Sequence, residues 1–522
     1  MRHVAYALGL ATAVAFAGGA SAKTLNWASQ GDALTMDPHA QNEGPTSTMN
    51  SQVYDSLILR DSKLAKIPGL AVSWKPVEPS VWEFKLREGV KFHEGQPFNA
   101  DDVVFSFQRA LSETSDFKNY VNSIETVDKV DDYTVRITTK GPNPILPDQI
   151  SSIRIMDKEW SEQHGVQAPQ NYKEKEETHA VRNANGTGPF ILAKRDPDIE
   201  TRMTVNEAWW GWGVSDPKTN VSEIVYRPIA NPATRVAALL SGELDFVLDP
   251  PLQDLARIKA TPGLKVEQVN QIRTIFFGVD TGVDKLRHTE VAGGNPFKNP
   301  KVREAMYRAI DIDTIRKKTM RGMSFPAGII TSPGVHGYTE ALDERLGYDV
   351  DAAKKLLAEA GYPNGFKVQL DCPNDRYNND EAICQATVGM LAKIGIEVSL
   401  NARSKSIHFK SLQNKESDFY MLGWGVPTLD SHYVFSYLAA SKGSWNFTGF
   451  ADARLDELTT LMETETDSAK RDAMIKEAWD ILKASNVYLP LHHQVIAWGM
   501  KDGLTLPIVP NDSPQFRTAQ WK

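Results

Sequence analysis

Residues 80–87 alternate, with Trp82, Phe84 and Leu86 on one side of an extended chain and Glu83, Lys85 and Arg87 on the other. A period of two predicts a half-buried strand, and residues 133–138 repeat the pattern. Elsewhere the period is helical. Val302, Ala305, Met306, Ala309 and Ile310 fall on one stripe and predict a helix over 302–320. Residues 232–241 predict another, opened by Asn231 and Pro232 and stopped by Gly242 before a strand at 244–248. Further helices are predicted over 351–360, stopped by Gly361, over 380–394, stopped by Gly395 before a strand at 396–400, and over 468–484. Helix, glycine, strand recurs along the chain, which implies α/β lobes whose sheets are covered by helices. The turn-rich stretches 183–189 and 280–300 are the predicted joints.

The chain has 522 residues, enough for more than one domain. Its formal net charge of -8 and the lack of a basic run give it no electrostatic reason to bind nucleic acid or an anionic membrane surface. The N-terminus changes the picture further. Arg2 and His3 precede an apolar run over 4–17, and Ala20-Ser21-Ala22 follows. These are the parts of a secretory signal peptide over 1–22, with a mature chain from Lys23. The apolar run is too short to span a bilayer comfortably, and no later segment is long and apolar enough to do so. The expectation is a soluble periplasmic protein, without lipid attachment because Lys23 is not a cysteine. Cys372 and Cys384 then lie in a compartment that permits disulfides. A bridge is expected, with two free thiols as the alternative. Two thiols without a suitably spaced histidine make no structural zinc site, and neither metal nor cofactor is expected.

Catalytic signatures are missing: there is no Gly-x-Ser-x-Gly and no His-Glu-x-x-His. Ser215 and Lys218 have Ser-x-x-Lys spacing, but in a proline-interrupted loop. His492 and His493 are adjacent on a predicted strand, point to opposite faces and cannot readily chelate one ion. The chain therefore reads as a binding protein rather than an enzyme. Trp209, Trp210 and Trp212 read as packing. Trp424, between Gly423 and Gly425, reads as a ligand contact, because its flanking glycines leave backbone groups open to a guest.

Residues 86–106, Leu-Arg-Glu-Gly-Val-Lys-Phe-His-Glu-Gly-Gln-Pro-Phe-Asn-Ala-Asp-Asp-Val-Val-Phe-Ser, closely resemble the signature of the bacterial extracellular solute-binding proteins, family 5. These are the dipeptide-, oligopeptide- and nickel-binding receptors of ABC importers. Residues 186–190, 299–305, 358–366 and 391–396 are similar to other stretches of the family in the expected order, and the resemblance spans about 24–500. It implies a two-lobed periplasmic binding protein of type II, cluster C, with an extra domain in the first lobe. Carried onto this chain, domain I is 23–53, 184–278 and 497–522, domain II is 54–183, and domain III is 279–496. The ligand is enclosed between lobes by hinge closure and delivered to the membrane permease subunits, and the receptor is a monomer.

The resemblance also implies site residues. The stretch Gly423, Trp424, Gly425 lies along a peptide backbone, as in strand addition. Arg376 resembles the arginine that grips the ligand's α-carboxylate, a task suited to its planar fork. The family's amine-binding aspartate is replaced here by Pro427, and Asp430 is the nearest substitute. Thr46, Ser47 and Thr48 fall where the first lobe touches the ligand. Loss of the aspartate keeps a second solute class open: an oligosaccharide, an opine-like conjugate, haem or chelated nickel.

Overall fold

The computed structural model describes residues 23–174, 176–215 and 217–522. The expected signal segment 1–22 lies outside the described residues. Among them, no helix is long and apolar enough to cross a membrane.

One mixed sheet runs through most of the molecule. Its order is Glu397–Arg403, Lys367–Pro373, Phe419–Gly425, Leu264–Val279, Tyr488–Lys501, Phe246–Val247, Lys23–Ala28, Val221–Tyr226, Glu200–Val205 and Phe190–Asp196. The centre is a pair of long antiparallel strands, Leu264–Val279 and Tyr488–Lys501, that belong to both halves. The second is buried along nearly its whole length, and the first from Gln271 onwards. Their register breaks twice, between Asn270 and Thr274 and between Ile275 and Phe276. Pro490 sits at the second break, where a residue without an N–H costs no ladder bond. The first break leaves Gln271, Ile272 and Arg273 outside this pairing.

A separate antiparallel sheet has the order Ala71–Glu78, Val81–Leu86, Thr134–Thr139, Ile124–Asp131. Phe84 and Leu86 point inward, as the alternation predicts. The helix Ala100–Leu111 packs on this sheet and opens with a capping box between Asn99 and Asp102. This layer lies entirely within 54–183.

Most predicted elements stand where the pattern puts them. The helix Pro232–Ser241 is capped by the Asn231 side chain and ends at Gly242, with φ of 82°. The helices Val350–Glu359, Asp380–Ala392 and Ser468–Ser485 match within a residue or two. The exception is 302–320. The helix there is Pro300–Ala309, and the chain leaves helical geometry at Ile310 (ψ 107°). Asp311 then starts a new turn by accepting from the Thr314 N–H and O–H. Ile310 is buried in either case, so the apolar stripe does not report the interruption.

Asp37 and Arg109 tie the N-terminal segment to the helix Ala100–Leu111. Both side chains are fully buried, and the guanidinium donates two bonds to the carboxylate, at 2.7 and 2.6 Å. The Gln170 N–H adds a third at 2.8 Å. Burial alone would raise the Asp37 carboxyl, but Arg109 outweighs it and holds the group below its ordinary value. Arg109→Ala leaves a buried carboxylate without its cation and should lower stability by about 3–5 kcal/mol in urea unfolding. Because the folded value is depressed, the stabilisation of Asp37 is present above the unfolded value near about 4 and is lost as pH falls through the folded one. The gap between wild type and Arg109→Ala should accordingly narrow in acid.

Candidate functional site

A cavity of about 1110 Å³, counting its open mouth, lies between the halves. Its charged lining residues are Glu43, Arg154, Arg273 and Arg376. Their origins are far apart in sequence. Glu43 caps the helix Gly44–Val53, Arg154 follows the turn Ile150–Ser152, Arg273 lies at the register break, and Arg376 lies in the loop after the strand Lys367–Pro373.

Glu43 is the hub. Its Oε2 accepts from the Thr46 N–H and hydroxyl, both at 3.1 Å. Its Oε1 lies 2.8 Å from Arg376 Nε and 3.2 Å from Lys405 Nζ. The Arg376 contact is an ion pair without hydrogen-bond alignment, since Nε has no bonded partner. Burial opposes ionisation of Glu43, and Lys405 with Arg376 more than offset it, so the carboxyl stays below its ordinary value. One carboxylate thus faces two cations. Gly44 makes room for this crowding: a Cβ there would come within 2.8 Å of Arg376 Nη2 and 3.3 Å of Arg273 Nη2.

Arg273 is 8 % exposed and makes no ion pair among the described residues, and its Nε has no partner. Burial and the neighbouring Arg376 push its pKa down to about 10, and Asp512 and Glu43 offset this only in part. Beside it Gln271 is 2 % exposed, with neither its amide oxygen nor its nitrogen bonded to protein. Buried polar atoms facing a cavity without protein partners are the atoms a guest or water satisfies.

Arg376 is held from behind. The Asp380 carboxylate accepts from the Arg376 and Tyr377 N–H groups at 3.0 and 2.9 Å, and the guanidinium lies 5.0 Å from the Tyr377 ring centre. Cys372 and Cys384 are bonded to each other and close the loop that carries Arg376.

Trp424 lines the cavity, is 6 % exposed, and its indole N–H has no protein partner. Its ring packs against Tyr433, Tyr437 and Trp445, with centroids 5.4–5.7 Å apart. Phe117 and Tyr120 close this aromatic end from the other side, and Tyr120 donates across to the Tyr433 hydroxyl at 2.9 Å. The strand Phe419–Gly425 pairs with Leu264–Val279 on one edge. Its other edge pairs with Lys367–Pro373 at Tyr420, and residues 422–427 then line the cavity.

Ser47, Thr48, Arg376, Gly423, Trp424 and Gly425 all line the cavity, so the structure brings them together. Thr46 does not line it: it is fully buried and spends its hydroxyl and N–H on Glu43. Asp430 does not line it either. Its oxygens accept from both Arg471 Nη atoms at 2.8 Å, from the His432 N–H at 2.9 Å, and face His336 Nδ1 at 2.8 Å. Burial would raise that carboxyl, yet His336 and Arg471 hold it far below its usual range. Asp430 is therefore spent inside its own half and is not placed to receive an amine. Trp209 and Trp210 donate to buried Asp55, as packing residues. His493 faces Thr274 and Asp343, while His492 is buried without a partner, so they do not converge on one point.

Sequence reasoning missed Glu43, Arg154, Gln271 and Arg273. Gln271 and Arg273 had only a weak local signal, as polar residues that run on from Lys265, Glu267, Gln268 and Asn270 towards the apolar end of one strand. Arg154 and Glu43 had none, since their roles arise from distant neighbours.

Comparisons with known proteins give the family and the fold. The profile of the bacterial extracellular solute-binding proteins, family 5 Middle, matches residues 66–446. The chain is 26% identical over 527 residues to the glutathione-binding protein GsiB of Escherichia coli O157:H7, covering 98% of this chain and 97% of that one. Two solved structures share the fold, each at 24% identity with a TM-score of 0.83 and 96% of this chain covered. They are the periplasmic binding protein DppA of Helicobacter pylori with the peptide STSA (98% of that chain) and AgaA of A. tumefaciens R10 with agropinic acid (99%).

The two glycines beside Trp424 differ in their surroundings. A Cβ at Gly423 would come within 2.6 Å of Ile275 and 2.7 Å of the Tyr377 ring, whereas at Gly425 the nearest atom is 3.6 Å away. Gly423→Ala should cost about 1–3 kcal/mol of stability through overpacking. Gly425→Ala should fold with wild-type stability. Paired denaturation curves test the contrast, which requires a stability gap between the two variants.

Proposed function

The chain belongs to family 5 of the bacterial extracellular solute-binding proteins, the receptors of ABC importers, and on that premise we propose that its solute is a di- or oligopeptide, captured between the two lobes and delivered to the permease subunits. The observation that carries this reading is the edge of strand Phe419–Gly425, which turns to the cavity at 422–427 beside the side chain of Arg376. A peptide backbone laid on that edge extends the sheet, and the arginine forms a bidentate pair with its terminal carboxylate. Ser47 and Thr48 offer hydroxyls from the opposite wall. The aromatic end around Trp424 accepts an apolar side chain or, through ring faces, an amine.

The same reading includes the division into domain I (23–53, 184–278, 497–522), domain II (54–183) and domain III (279–496). It also includes secretion to the periplasm after removal of 1–22, binding without catalysis, and action as a monomer. Two observations support the division: the small sheet lies wholly within 54–183, and the crossing strands join the remaining parts. Closure follows from contacts the solute makes to both lobes at once, which shift the population toward the closed form.

A second reading, a non-peptide solute such as an opine-like conjugate, is favoured by one observation. Among the described residues no acid other than Glu43 lines the cavity, and Glu43 already serves Arg376 and Lys405. A solute without a free amine needs no such acid.

Mass spectrometry of the solute released from purified protein separates the two readings: peptides support the first, and their absence sinks it. Arg376→Ala should weaken peptide binding by about 2–5 kcal/mol, the range for breaking a buried charged pair. In calorimetry, C-terminal amidation of the peptide should weaken wild type and leave Arg376→Ala little changed. Equal binding of free and amidated peptides by wild type would remove Arg376 from that role.

A further inference from the structure

Behind the cavity lies a second chamber. The two share Ser152, Arg154, Ile272, Pro427, Asn511 and Ser513 in their walls, so they are direct neighbours, with Arg154 lining both. Among the described residues the chamber is lined by three arginines, Arg60, Arg154 and Arg517, by several serines, and by no aspartate or glutamate.

The arginines are not equivalent. Arg60 is paired with Asp148 at 2.9 Å. Arg517 donates to the Arg60 carbonyl and to Gln515 Oε1. Arg154 has no carboxylate at ion-pair distance among the described residues, and its guanidinium donates to the Ser56 hydroxyl at 3.0 Å. The acid that acts on it, Asp55, is occupied by the Trp209 and Trp210 indoles and by Thr187. Arg517 adds a like charge nearby. Arg154 also reaches the main cavity, where Arg273 is likewise unpaired and Arg376 shares Glu43 with Lys405.

A zwitterion brings one negative and one positive charge. The first would serve Arg376 and Arg273; the second would meet a cavity already rich in cations. Burying an arginine such as Arg154 beside a charged guest is favourable only if the guest supplies the opposite sign.

We infer that the solute carries two oxyanion groups, one held by Arg376 with Arg273 and a second, a carboxylate or a phosphate, seated in the serine-lined chamber against Arg154. This rests on the reading that the interlobe cavity holds the solute, and it narrows the solute to dianions, whether built on a peptide or on another conjugate. Arg154 presents a fork of N–H donors to the second oxyanion. The hydroxyls of Ser152 and Ser513 stand in the wall where the two spaces meet.

The test uses the full mature chain and three probes without a free amine: N-acetyl-Ala-Ala with one carboxylate, N-succinyl-Ala-Ala with two, and N-acetyl-phosphoseryl-Ala with a phosphate. Calorimetry at low ionic strength should show wild type binding at least one doubly anionic probe about tenfold or more tightly than the acetyl probe. A larger gain from succinate identifies a carboxylate as the natural group, and one from phosphoserine identifies a phosphate. In Arg154→Gln that preference should fall to within about twofold, and Arg154→Lys should restore part of it. Denaturation midpoints for both variants separate a charge effect from misfolding. Equal binding of all three probes by wild type overturns the inference, and so does a preference that survives Arg154→Gln. If none of the probes binds, the solute released from the purified protein decides. A released non-peptide dianion upholds the inference while ending the peptide reading. A released zwitterionic peptide does the reverse. No bound or released dianion at all overturns the inference.

Discussion

The ladder between Leu264–Val279 and Tyr488–Lys501 is the constraint on which the rest of the molecule depends. Here both halves share a continuous sheet, and a sheet cannot shift register by one residue without turning every side chain to the other face. The position of each half relative to the cleft is therefore set by this pairing. The break between Asn270 and Thr274 lies at the same level as the cavity, and it turns Gln271, Ile272 and Arg273 into cavity wall. A bulge re-aims side chains, and here it re-aims an amide and a cation toward the cavity. The Ile272 N–H and C=O are satisfied elsewhere, by Pro510 and Val426, so the interruption leaves no backbone debt at that residue.

Electrostatics builds the site on this frame. Glu43 stands at a helix start, joined to Arg376 and Lys405 across the cleft. Lys405 also donates to the Asp32 carbonyl, which adds to the same junction. The carboxylate thus helps to hold the halves together while leaving the cavity with a surplus of positive charge. In a region screened from water this surplus is worth more than the same charges on a surface. Arg273 shows the cost most plainly, as a buried cation that Arg376 disfavours and that makes no ion pair among the described residues. Asp430 shows the opposite economy: a carboxylate fully paired with Arg471 and His336, stable and unavailable.

The fold was legible in the sequence because its cues are local. Alternation at 80–87, the Asn231 cap with Gly242, and the glycine stops at 361 and 395 each act within a few residues, and each element formed where its cue stands. The failure at 310–311 came from a competing local bond, the Asp311 side chain starting its own turn, which an apolar stripe cannot reveal. The resemblance to the family carried Arg376 and the Trp424 stretch to the cavity wall. It also nominated Thr46 and Asp430, whose side chains the structure commits to Glu43 and to Arg471 with His336.

By itself, then, the sequence determined the alternating α/β elements, the family signature, the placement of the cysteines and the motif residues along one strand edge. These depend on backbone propensity, periodicity and contiguous motifs, all of which act over short stretches of chain. Only the tertiary structure decided which charges stay unpaired. Glu43 meets Arg376 and Lys405 across more than 300 positions, Asp55 beneath Arg154 accepts instead from tryptophans beyond position 200, and Arg273 is turned inward by a register break with a strand that begins at Tyr488. Charge pairing is a short-range bargain between groups that the fold brings together, so sequence distance says nothing of it until the sheet has set the geometry.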